Sequence, residues 1–430
     1  MLNEQQRIAK DKIARWFNKA QRGGKQIFTL AGYAGTGKTF LINYLIENVL
    51  ELDRNKIATV TPTGKAASVL IQKGTPACTI HRLIYTCEES EKLNSKGKPI
   101  PKFIKKKSIP DYELVILDEV SMISKKIMQD LISFNIPILA VGDPGQLPPV
   151  MAERHDLLLK PDYTLTEIVR QSEEDPIIKV ATMARNGEYI PYGKYGDSVY
   201  VISKDHIKSS DLDKLLLKAD QVICGKNETR SKLNNYIRSL LGFTSPFPEV
   251  NDKIICIQNN YDIALDEFKK YPLVNGNIGL VKDYKHVNDE EDLSILHFHV
   301  EFLDNYTKES LIIDDGIFKH GDFTYDRHQQ VYFLDNGNVA PRRSLTKKEN
   351  VTDDEFRTIV SKELFNRTHS EKEQQICQFD FGYAISCHKA QGSEFDKVIV
   401  FDESKSFPGE SKRWLYTAIT RAKKKLIIIR

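Results

Sequence analysis

Short apolar runs alternate with helical patterns from residue 27 to residue 150. Residues 26–30, 56–61, 113–117 and 137–141 are runs of this kind, and turn-forming or charged residues follow them. Apolar runs of this length between turn signals are typical of strands that are buried on both faces of a parallel sheet. Together with the helical segments between them, these runs predict a doubly wound α/β domain.

This α/β pattern is interrupted twice. Between residues 85 and 110 a polar stretch with an Asn-Ser-Lys-Gly turn predicts a protruding hairpin. A second α/β unit follows, with strands expected at residues 221–224 and 253–257. Residues 281–375 are charge-rich and show period-two alternation, which predicts a small β insert, and the α/β pattern then returns.

Length and net charge limit the number of domains and the kind of partner that the sequence predicts. A chain of 430 residues exceeds one ordinary core and predicts about two to four domains. Lys and Arg number 62 against 59 Asp and Glu, so the net charge of +3 does not by itself indicate a polyanionic partner. Any nucleic-acid surface must therefore be local.

Targeting and cysteine signals predict a cytoplasmic protein with no membrane partner. Residues 1–7 lack the layout of a signal peptide, and no apolar run approaches the roughly 18–20 residues of a membrane span. The six cysteines form no C-x-x-C pair and have no zinc spacing. We expect reduced thiols, with neither a structural metal nor disulfides.

Residues 32–39 read Gly-Tyr-Ala-Gly-Thr-Gly-Lys-Thr and match the phosphate-binding pattern G-x-x-x-x-G-K-[ST] at every fixed position. A predicted strand precedes them and an apolar helical segment follows, which is the context that this loop requires. Glycines let backbone N–H groups approach a triphosphate, Lys38 supplies a cation, and Thr39 would place its hydroxyl on Mg²⁺. The predicted ATP-binding residues of the loop are Gly35, Thr36, Gly37, Lys38 and Thr39.

Two carboxylates follow the apolar strand predicted at residues 113–117. In nucleotide-hydrolysing folds a Walker B element has this arrangement. Asp118 would hold Mg²⁺, usually through water. Glu119 would orient and deprotonate the attacking water, because a base at the tip of this strand faces the terminal phosphate.

Seven further motifs, in collinear order over nearly the whole chain, resemble the RecD-like, phage Dda-type branch of the superfamily-1 helicases. These motifs lie at residues 2–9, 61–67, 79–83, 142–149, 165–171, 386–395 and 414–423. The resemblance implies an ATP-dependent DNA helicase that translocates 5′ to 3′ on single-stranded DNA and unwinds duplex DNA. It also implies two RecA-like P-loop motor domains, each a parallel sheet flanked by helices.

The resemblance assigns roles at the nucleotide. Gln6 matches the glutamine that reads adenine, and Gln146 matches the one that senses the terminal phosphate. Arg170 and Arg421 match the two arginine-bearing motifs, and an arginine that faces the transferring phosphoryl group accelerates hydrolysis by roughly 10³–10⁵. The predicted catalytic set is Lys38, Glu119, Gln146, Arg170 and Arg421.

The resemblance also implies strand-contacting residues in both motor domains. Their hydroxyl, amide and cationic groups would contact phosphates without reading sequence. In the first domain they are Pro62, Thr63, Lys65, Thr79 and His81. In the second they are Asn227, His388 and Lys389, with Gly392 and Glu394 on the nucleotide side of the same motif as His388.

The family pattern divides the chain into four parts. Motor domain 1A is expected at residues 1–84 and 111–170, the pin hairpin 1B at 85–110, motor domain 2A at 171–280 and 376–430, and a small β-barrel or tower insert 2B at 281–375. Phe103, beside a run of lysines at 105–107, matches the aromatic wedge of the pin, with Tyr85 as the alternative. Residues in the tower insert are too divergent to assign.

Three other functions compete with a stand-alone DNA helicase: a motor subunit of a nuclease complex, a viral superfamily-1 type of RNA helicase, and a nucleotide-gated nucleic-acid clamp. The last predicted strand reaches Arg430, which favours a stand-alone motor over a nuclease subunit. Lys38, Glu119 and Arg421 together favour an enzyme over a clamp. Comparing ATPase stimulation by DNA and by RNA would separate the two helicase classes.

The expected partners are single-stranded DNA and duplex forks. Single-strand-binding, replication and recombination proteins are candidate protein partners, and we expect a functional monomer in the cytoplasm of a bacterial or phage-infected cell. DNA replication, recombination and repair all fit this prediction.

Overall fold

The computed structural model describes two compact units. Its described residues are 2–93, 99–149, 153, 155, 157–169, 175–245, 247–257, 259–264, 272–288, 294–302, 306–313, 331–333, 339–341, 376–377 and 379–430. One unit comprises residues 1–86, 105–225 and 385–430, and the other comprises residues 87–104 and 226–384. Within the described residues, no helix has both the length and the apolar character needed to cross a membrane.

Ten α-helices occur in the described part of the chain. They are α1 (Glu4–Ala20), α2 (Lys38–Asn48), α3 (Gly64–Gln72), α4 (Ile80–Ile84), α5 (Lys125–Ile132), α6 (Pro176–Asn186), α7 (Ser209–Lys218), α8 (Asn227–Leu240), α9 (Cys387–Ala390) and α10 (Ser411–Ile419). Three short 3₁₀ helices accompany them, at Arg54–Lys56, Val120–Met122 and Ser404–Ser406.

The strands of the described residues are numbered in chain order. They are β1 (Ile27–Gly32), β2 (Ile57–Thr61), β3 (Ala77–Thr79), β4 (Tyr85–Leu93), β5 (Pro99–Lys105), β6 (Leu114–Leu117), β7 (Ile138–Gly142), β8 (Tyr163–Leu165), β9 (Gly193–Tyr195), β10 (Val199–Ile202), β11 (Gln221–Cys224), β12 (Lys253–Cys256), β13 (Asn260–Ala264), β14 (Pro272–Leu273), β15 (Ile278–Asn288), β16 (Ser294–Phe302), β17 (Tyr306–Ile313), β18 (Val331–Phe333), β19 (Val339–Pro341), β20 (Ile376–Cys377), β21 (Phe379–Phe381), β22 (Ala384–Ser386), β23 (Phe395–Phe401) and β24 (Ala422–Ile429).

The first unit contains a parallel sheet with the strand order β3-β2-β6-β7-β1-β8. This confirms the strands predicted at 26–30, 56–61, 113–117 and 137–141 to within one or two residues. Because parallel strands end at the same edge of a sheet, β1, β6 and β7 deliver the segments that follow them to one place. That edge carries the candidate site.

The core of this sheet explains why its strands are apolar throughout. In β6, Leu114 and Ile116 pack in one hydrophobic cluster with α1 and α2, whereas Val115 and Leu117 pack in another with α4 and α5. Successive side chains of a strand point to opposite faces, so both faces of the sheet are covered. The apolar runs of the sequence thus reflect burial on two sides.

The first unit also contains a second sheet, with the order β22-β11-β23-β24-β10-β9. Strands β11, β23, β24 and β10 pair in parallel, and β9 is an antiparallel edge strand. The two parallel sheets match the fold class predicted from the sequence. Segment 386–395, between β22 and β23, and α10, before β24, lie in this part of the chain.

The second unit contains a mostly antiparallel sheet with the order β20-β17-β16-β15-β12-β21. Strand β12 pairs antiparallel with both β15 and β21. The strand predicted at residues 253–257 is present as β12, but its place in the second α/β unit is wrong, because it pairs in this sheet and not with β11, β23, β24 and β10. A fully buried apolar strand has the same pattern in either kind of sheet. The insert sheet starts before residue 281, and the four-part domain division and the barrel stay predictions, since much of 281–375 lies outside the described residues.

Strands β4 and β5 pair with each other, which confirms the predicted hairpin, although its tip at residues 94–98 lies outside the described residues. At its base, Lys106 donates to the carbonyl oxygens of Arg82 (2.7 Å) and Leu83 (3.1 Å). Lys105 donates to Ser133 Oγ at 2.9 Å. Two lysines of the run at 105–107 thus form hydrogen bonds within the first unit, next to the end of β5.

Candidate active site

The loop at residues 32–39 joins β1 to the N-terminus of α2, as the sequence predicts. Gly35 and Gly37 have φ angles of 80° and 75°, which glycine adopts at little cost. Thr36 is fully buried, and its hydroxyl donates to the carbonyl oxygen of Tyr33 at 2.8 Å. These contacts hold the loop in a curved conformation whose N–H groups suit an anion.

Lys38 lies over this loop. Its Nζ donates to the carbonyl oxygens of Gly32 (2.7 Å) and Tyr33 (3.1 Å), and Thr39 is half-buried beside it. A lysine cation, a hydroxyl and an eleven-residue helix beginning at the loop together fit a nucleoside triphosphate with its Mg²⁺.

Gln6 connects helix α1 to the loop. Its backbone N–H and side-chain Oε1 form a capping box with Asn3, and its Nε2 donates to the carbonyl oxygen of Thr36 at 3.1 Å. The side chain is 2% exposed, and a Cβ at Gly37 would come 2.5 Å from Nε2. The structure places Gln6 against the phosphate loop, and its adenine-reading role stays a prediction.

Gln5 is a site residue that the sequence analysis missed. Its Oε1 accepts hydrogen bonds from the N–H groups of Thr166 (2.8 Å) and Glu167 (2.9 Å). Two residues after Glu167, the N–H of Val169 donates to the carbonyl oxygen of Gly35 at 3.0 Å. The segment that leads to the predicted finger is thus fixed on the loop, whereas Arg170 itself lies outside the described residues.

The two carboxylates at the end of β6 are half-buried, and the backbone of the second is strained. Oδ1 of Asp118 accepts from the N–H of Glu119 at 2.9 Å, and Glu119 has a φ of 55°. Few residues other than glycine adopt such an angle, and those that do cluster at functional sites. Among the described residues, no group forms a hydrogen bond with the buried Oε2 of Glu119.

Electrostatics distinguish the two carboxyls from ordinary surface acids. Burial raises the pKa of Asp118, and the N–H of Glu119 and the Lys38 ammonium oppose that effect. Burial and the neighbouring Asp118 raise the pKa of Glu119 to about 7, against the opposing effects of Arg421 and Lys38. A carboxyl with a pKa near neutrality can accept a proton at physiological pH.

Arg421 lies in the same charge cluster. Its guanidinium is 5% exposed and donates to the carbonyl oxygens of Thr417 (3.0 Å) and Ser393 (3.2 Å). The charge of Arg421 lowers the pKa of Glu119, so the two side chains are close enough to interact electrostatically. The structure therefore brings together Lys38, Glu119 and Arg421 from three distant parts of the sequence.

The turn at residues 143–146 lies beside this cluster. Asp143 is fully buried: Oδ1 accepts from the N–H of Gly145 at 2.8 Å, and Oδ2 accepts from the hydroxyl of Tyr416 at 2.6 Å. The Tyr416 oxygen in turn accepts from the N–H of Ala34 at 2.8 Å. Gln146 is buried, and within the described residues its Oε1 has no hydrogen-bond partner.

Further hydrogen bonds link residues 142–149 to the C-terminal motifs. The N–H of Leu147 donates to Thr417 Oγ1 at 3.0 Å, and Gln391 Nε2 donates to the carbonyl oxygen of Leu147 at 3.1 Å. The sequence indicates the motifs at 142–149, 386–395 and 414–423, but it does not indicate a role for Asp143, Tyr416 or Thr417. Membership of a motif is their only signal. Tyr416 and Thr417 lie among apolar residues of a helix and therefore resemble ordinary core residues.

A cleft of about 450 Å³ opens beside the phosphate loop. In its wall, the guanidinium of Arg185 lies 3.7 Å from the ring centroid of Tyr33. Lys412 and Arg413, at the start of α10, also line it. Cationic side chains therefore border the loop on the side of Tyr33.

Two of the predicted DNA-contacting motifs meet in the first unit. Gly392 has a φ of 73°, and a Cβ there would come 3.1 Å from Cβ of Ala66 and 3.4 Å from Oγ1 of Thr63. Thr63 also caps α3, with its Oγ1 accepting from the N–H of Ala66 at 3.2 Å. Pro62 and Lys65 are half-buried beside it.

The structure makes Thr79 a helix cap. Its hydroxyl is buried and accepts from the N–H of Arg82 at the start of α4, at 3.2 Å. His81 is half-buried in α4, with its ring centroid 5.6 Å from that of Tyr85. Burial lowers the pKa of His81, so at neutral pH it would offer a hydrogen bond to DNA and no charge.

His388 and Lys389 lie in the short helix α9 and are both half-buried. Burial lowers the pKa of His388, and its ring centroid lies 6.0 Å from that of Phe407. Glu394 is exposed, and its carboxylate lies 3.5 Å from Lys423 Nζ. A role for Glu394 at the nucleotide stays a prediction.

Asn227 and Phe103 belong to the second unit. Asn227 is exposed at the first residue of α8, and Phe103 is 51% exposed on β5. Both positions are open to solvent on one side, as a DNA contact would require. Their contacts with DNA stay predictions.

Comparisons with known proteins agree with this geometry. Residues 1–202 match the family model described as an AAA domain, and residues 381–429 match the UvrD-like helicase C-terminal domain. The chain is 24% identical to the ATP-dependent DNA helicase dda of Enterobacteria phage T4, over 94% of each protein. It is 25% identical to the ATP-dependent RecD2 DNA helicase of Deinococcus radiodurans, and that match covers 94% of this chain and 47% of the relative.

Solved structures of Pif1 helicases share the fold. A Bacteroides Pif1 bound to single-stranded DNA aligns over 100% of this chain and 92% of its own, with a TM-score of 0.51 and 19% identity. The chain therefore matches an AAA domain and a UvrD-like helicase C-terminal domain, and over nearly its whole length it is similar to ATP-dependent DNA helicases.

Proposed function

We propose that this helicase hydrolyses ATP at the loop of residues 32–39 and uses each cycle to move 5′ to 3′ along single-stranded DNA, unwinding duplex DNA ahead of it. The main support is the group of Lys38, Glu119 and Arg421, in which both cations lower the pKa of the half-buried Glu119 and Arg421 is itself buried. Its cations and its base come from separate motifs, as ATP hydrolysis linked to movement requires. Two relatives named as ATP-dependent DNA helicases match 94% of this chain.

Glu119 is the base in this proposal. Its unpartnered Oε2 and its raised pKa suit a group that takes a proton from water as the water attacks the terminal phosphate. The left-handed backbone at this residue is a strained conformation of the kind that clusters at functional sites. Asp118 lies one residue earlier, and its charge helps to keep Glu119 basic.

Two cations would offset charge on the phosphates. Lys38 would replace its bonds to loop carbonyls with bonds to the terminal phosphates. Arg421, which lies between α10 and β24, would face the transferring phosphoryl group. Thr39 and Asp118 would hold Mg²⁺, which supplies positive charge at the phosphate oxygens when bound.

Movement would follow from alternating contact with the strand. Driving a two-state closure almost fully requires roughly 5.5 kcal/mol of differential affinity. Contacts with the triphosphate from the loop, from Gln146 and from Arg421 would contribute it. Because Gly392 abuts Thr63, a shift between the two motor halves would change the strand-contacting surface directly.

Strand separation would use the hairpin of β4 and β5. Phe103 is an exposed aromatic side chain on β5, and its ring could stack on a base at the fork. Pairing of β4 with β5 would give this segment the stiffness that an obstacle at the fork needs.

Polarity is tested with matched duplexes that carry either a 5′ or a 3′ single-stranded tail. With ATP, the 5′-tailed duplex should unwind at least about tenfold faster, measured by separation of fluorescently labelled strands. An all-RNA version of the same substrate serves as the control for nucleic-acid class. Equal unwinding from both tails would refute the direction, and faster RNA unwinding would favour the viral type of RNA helicase.

Lys38→Ala removes the cation from the phosphate loop. DNA-stimulated ATP hydrolysis should fall at least about 10²-fold, because the terminal phosphates lose a charge-assisted partner. Lys194→Ala is the control, since it removes an exposed lysine of the edge strand β9, one that pairs with Asp197. Near-normal turnover of the Lys38 variant would remove the loop from the mechanism.

Glu119→Gln tests the base. The variant should bind ATP and hydrolyse it at least about 10²-fold more slowly, because the amide cannot accept the proton. Binding is measured with a fluorescent ATP analogue. A loss of binding with intact folding would contradict the assignment.

The stability difference between Glu119→Gln and the wild type should depend on pH. The pKa of Glu119 is raised from 4.5 to about 7 in the folded state. The wild-type protein therefore has its full free energy of unfolding below pH 4.5, and it loses part of that free energy as the pH rises through 7 and the carboxyl ionises. In EDTA at pH 8, Glu119→Gln should therefore raise Tm by about 2–4 °C. The gain should shrink as the pH falls, and a gain that is independent of pH would show that the wild-type carboxyl is not a buried charge.

Phe103→Ala tests the wedge. Unwinding should slow about tenfold or more, while ATP hydrolysis on single-stranded DNA stays within about twofold, because stacking at the fork is lost and the motor is intact. Tyr192→Ala is the control, an aromatic residue of the first unit with 52% exposure against 51% for Phe103. If duplex unwinding is unchanged in the Phe103 variant, another residue separates the strands.

A further inference from the structure

The hydroxyl of Tyr416 lies between two parts of the nucleotide site. It accepts a hydrogen bond from the N–H of Ala34 at 2.8 Å and donates one to Oδ2 of Asp143 at 2.6 Å. The residue is 1% exposed, and a Cβ at Gly145 would come 2.8 Å from its ring. Close packing and two directional bonds therefore fix the hydroxyl in place.

The first partner, Ala34, belongs to the loop that binds phosphate. Loops of this type hold phosphate oxygens through backbone N–H groups. An N–H group carries one hydrogen, so a phosphate oxygen at Ala34 would compete with the hydroxyl of Tyr416. The loop can donate this bond to the ligand only at the expense of the tyrosine.

The second partner, Asp143, shapes the turn that carries Gln146. Its Oδ1 accepts from the N–H of Gly145 at 2.8 Å, and its carbonyl oxygen accepts from the N–H of Gln146 at 3.2 Å. A change in the bond from Tyr416 to Asp143 would therefore reach the turn. Hydrogen bonds in a chain strengthen one another, and loss of one weakens the next.

We propose that Tyr416 is a positioning residue that reports phosphate binding at Ala34 to the turn that carries Gln146. When a phosphate oxygen takes the Ala34 N–H, the tyrosine loses its donor and its bond to Asp143 changes. The inference rests on the proposed function, because it gives Tyr416 a part in linking ATP to DNA. The chemistry of hydrolysis itself stays with Lys38, Glu119 and Arg421.

Tyr416→Phe tests this role, and the chain offers a matched control. The hydroxyl of Tyr383, in the second unit, also accepts from a backbone N–H, that of Lys253 (3.0 Å), and donates to a carboxylate, that of Asp252 (2.9 Å). Tyr383→Phe therefore removes the same pair of bonds away from the phosphate loop. Affinity for a fluorescent ADP analogue, KM for ATP, and kcat with and without oligo(dT) are measured for both variants and for the wild type.

Tyr416→Phe should bind the ADP analogue about threefold to tenfold more tightly, because one competitor for the Ala34 N–H is gone. Its stimulation by oligo(dT), the ratio of kcat with and without DNA, should fall at least about tenfold, while Tyr383→Phe keeps both values within about twofold. Equal losses of kcat with and without DNA, unchanged ADP affinity, or the same effects in Tyr383→Phe would each overturn the proposal. A wild-type protein without DNA-stimulated hydrolysis would instead refute the proposed function.

Discussion

The desolvation of the carboxylate at Glu119 is the constraint on which the proposed active site depends. The residue is half-buried, but among the described residues its buried Oε2 has no hydrogen-bond partner, and its backbone is left-handed. Removing a charge from water is costly. The cations of Lys38 and Arg421 offset part of that cost and keep the pKa from rising further. In the proposed mechanism this unfavourable energy has a use, because a base must reach the substrate and be shielded from bulk water.

The fold meets this requirement through the geometry of parallel sheets. Strands β1, β6 and β7 end at one edge, which places the phosphate loop, the carboxylate pair and the turn at residues 143–146 side by side. The C-terminal helix α10 then adds Tyr416, Thr417 and the segment before Arg421. Residues that are hundreds of positions apart thus form one site, because each follows a rigid element.

Much of this arrangement could be predicted from the sequence, and the exceptions have physical causes. The phosphate loop and the two carboxylates have fixed residue types, because few side chains bind phosphate or activate water. Tyr416 could not be assigned a role, since its ring occupies a core position and only its hydroxyl is polar. The strand β12 was assigned to the wrong sheet because its residues are buried on both faces in either arrangement.

The capping box of α1 has a consequence for the whole chain. Gln6 caps the first turn of the helix with two of its bonds and holds the phosphate loop with a third, so the order of that turn and the shape of the loop are coupled. Thermodynamic reciprocity then requires that any ligand which tightens the loop also protects the first turn of α1 from fraying. Proteolytic sensitivity of that turn would therefore report nucleotide occupancy.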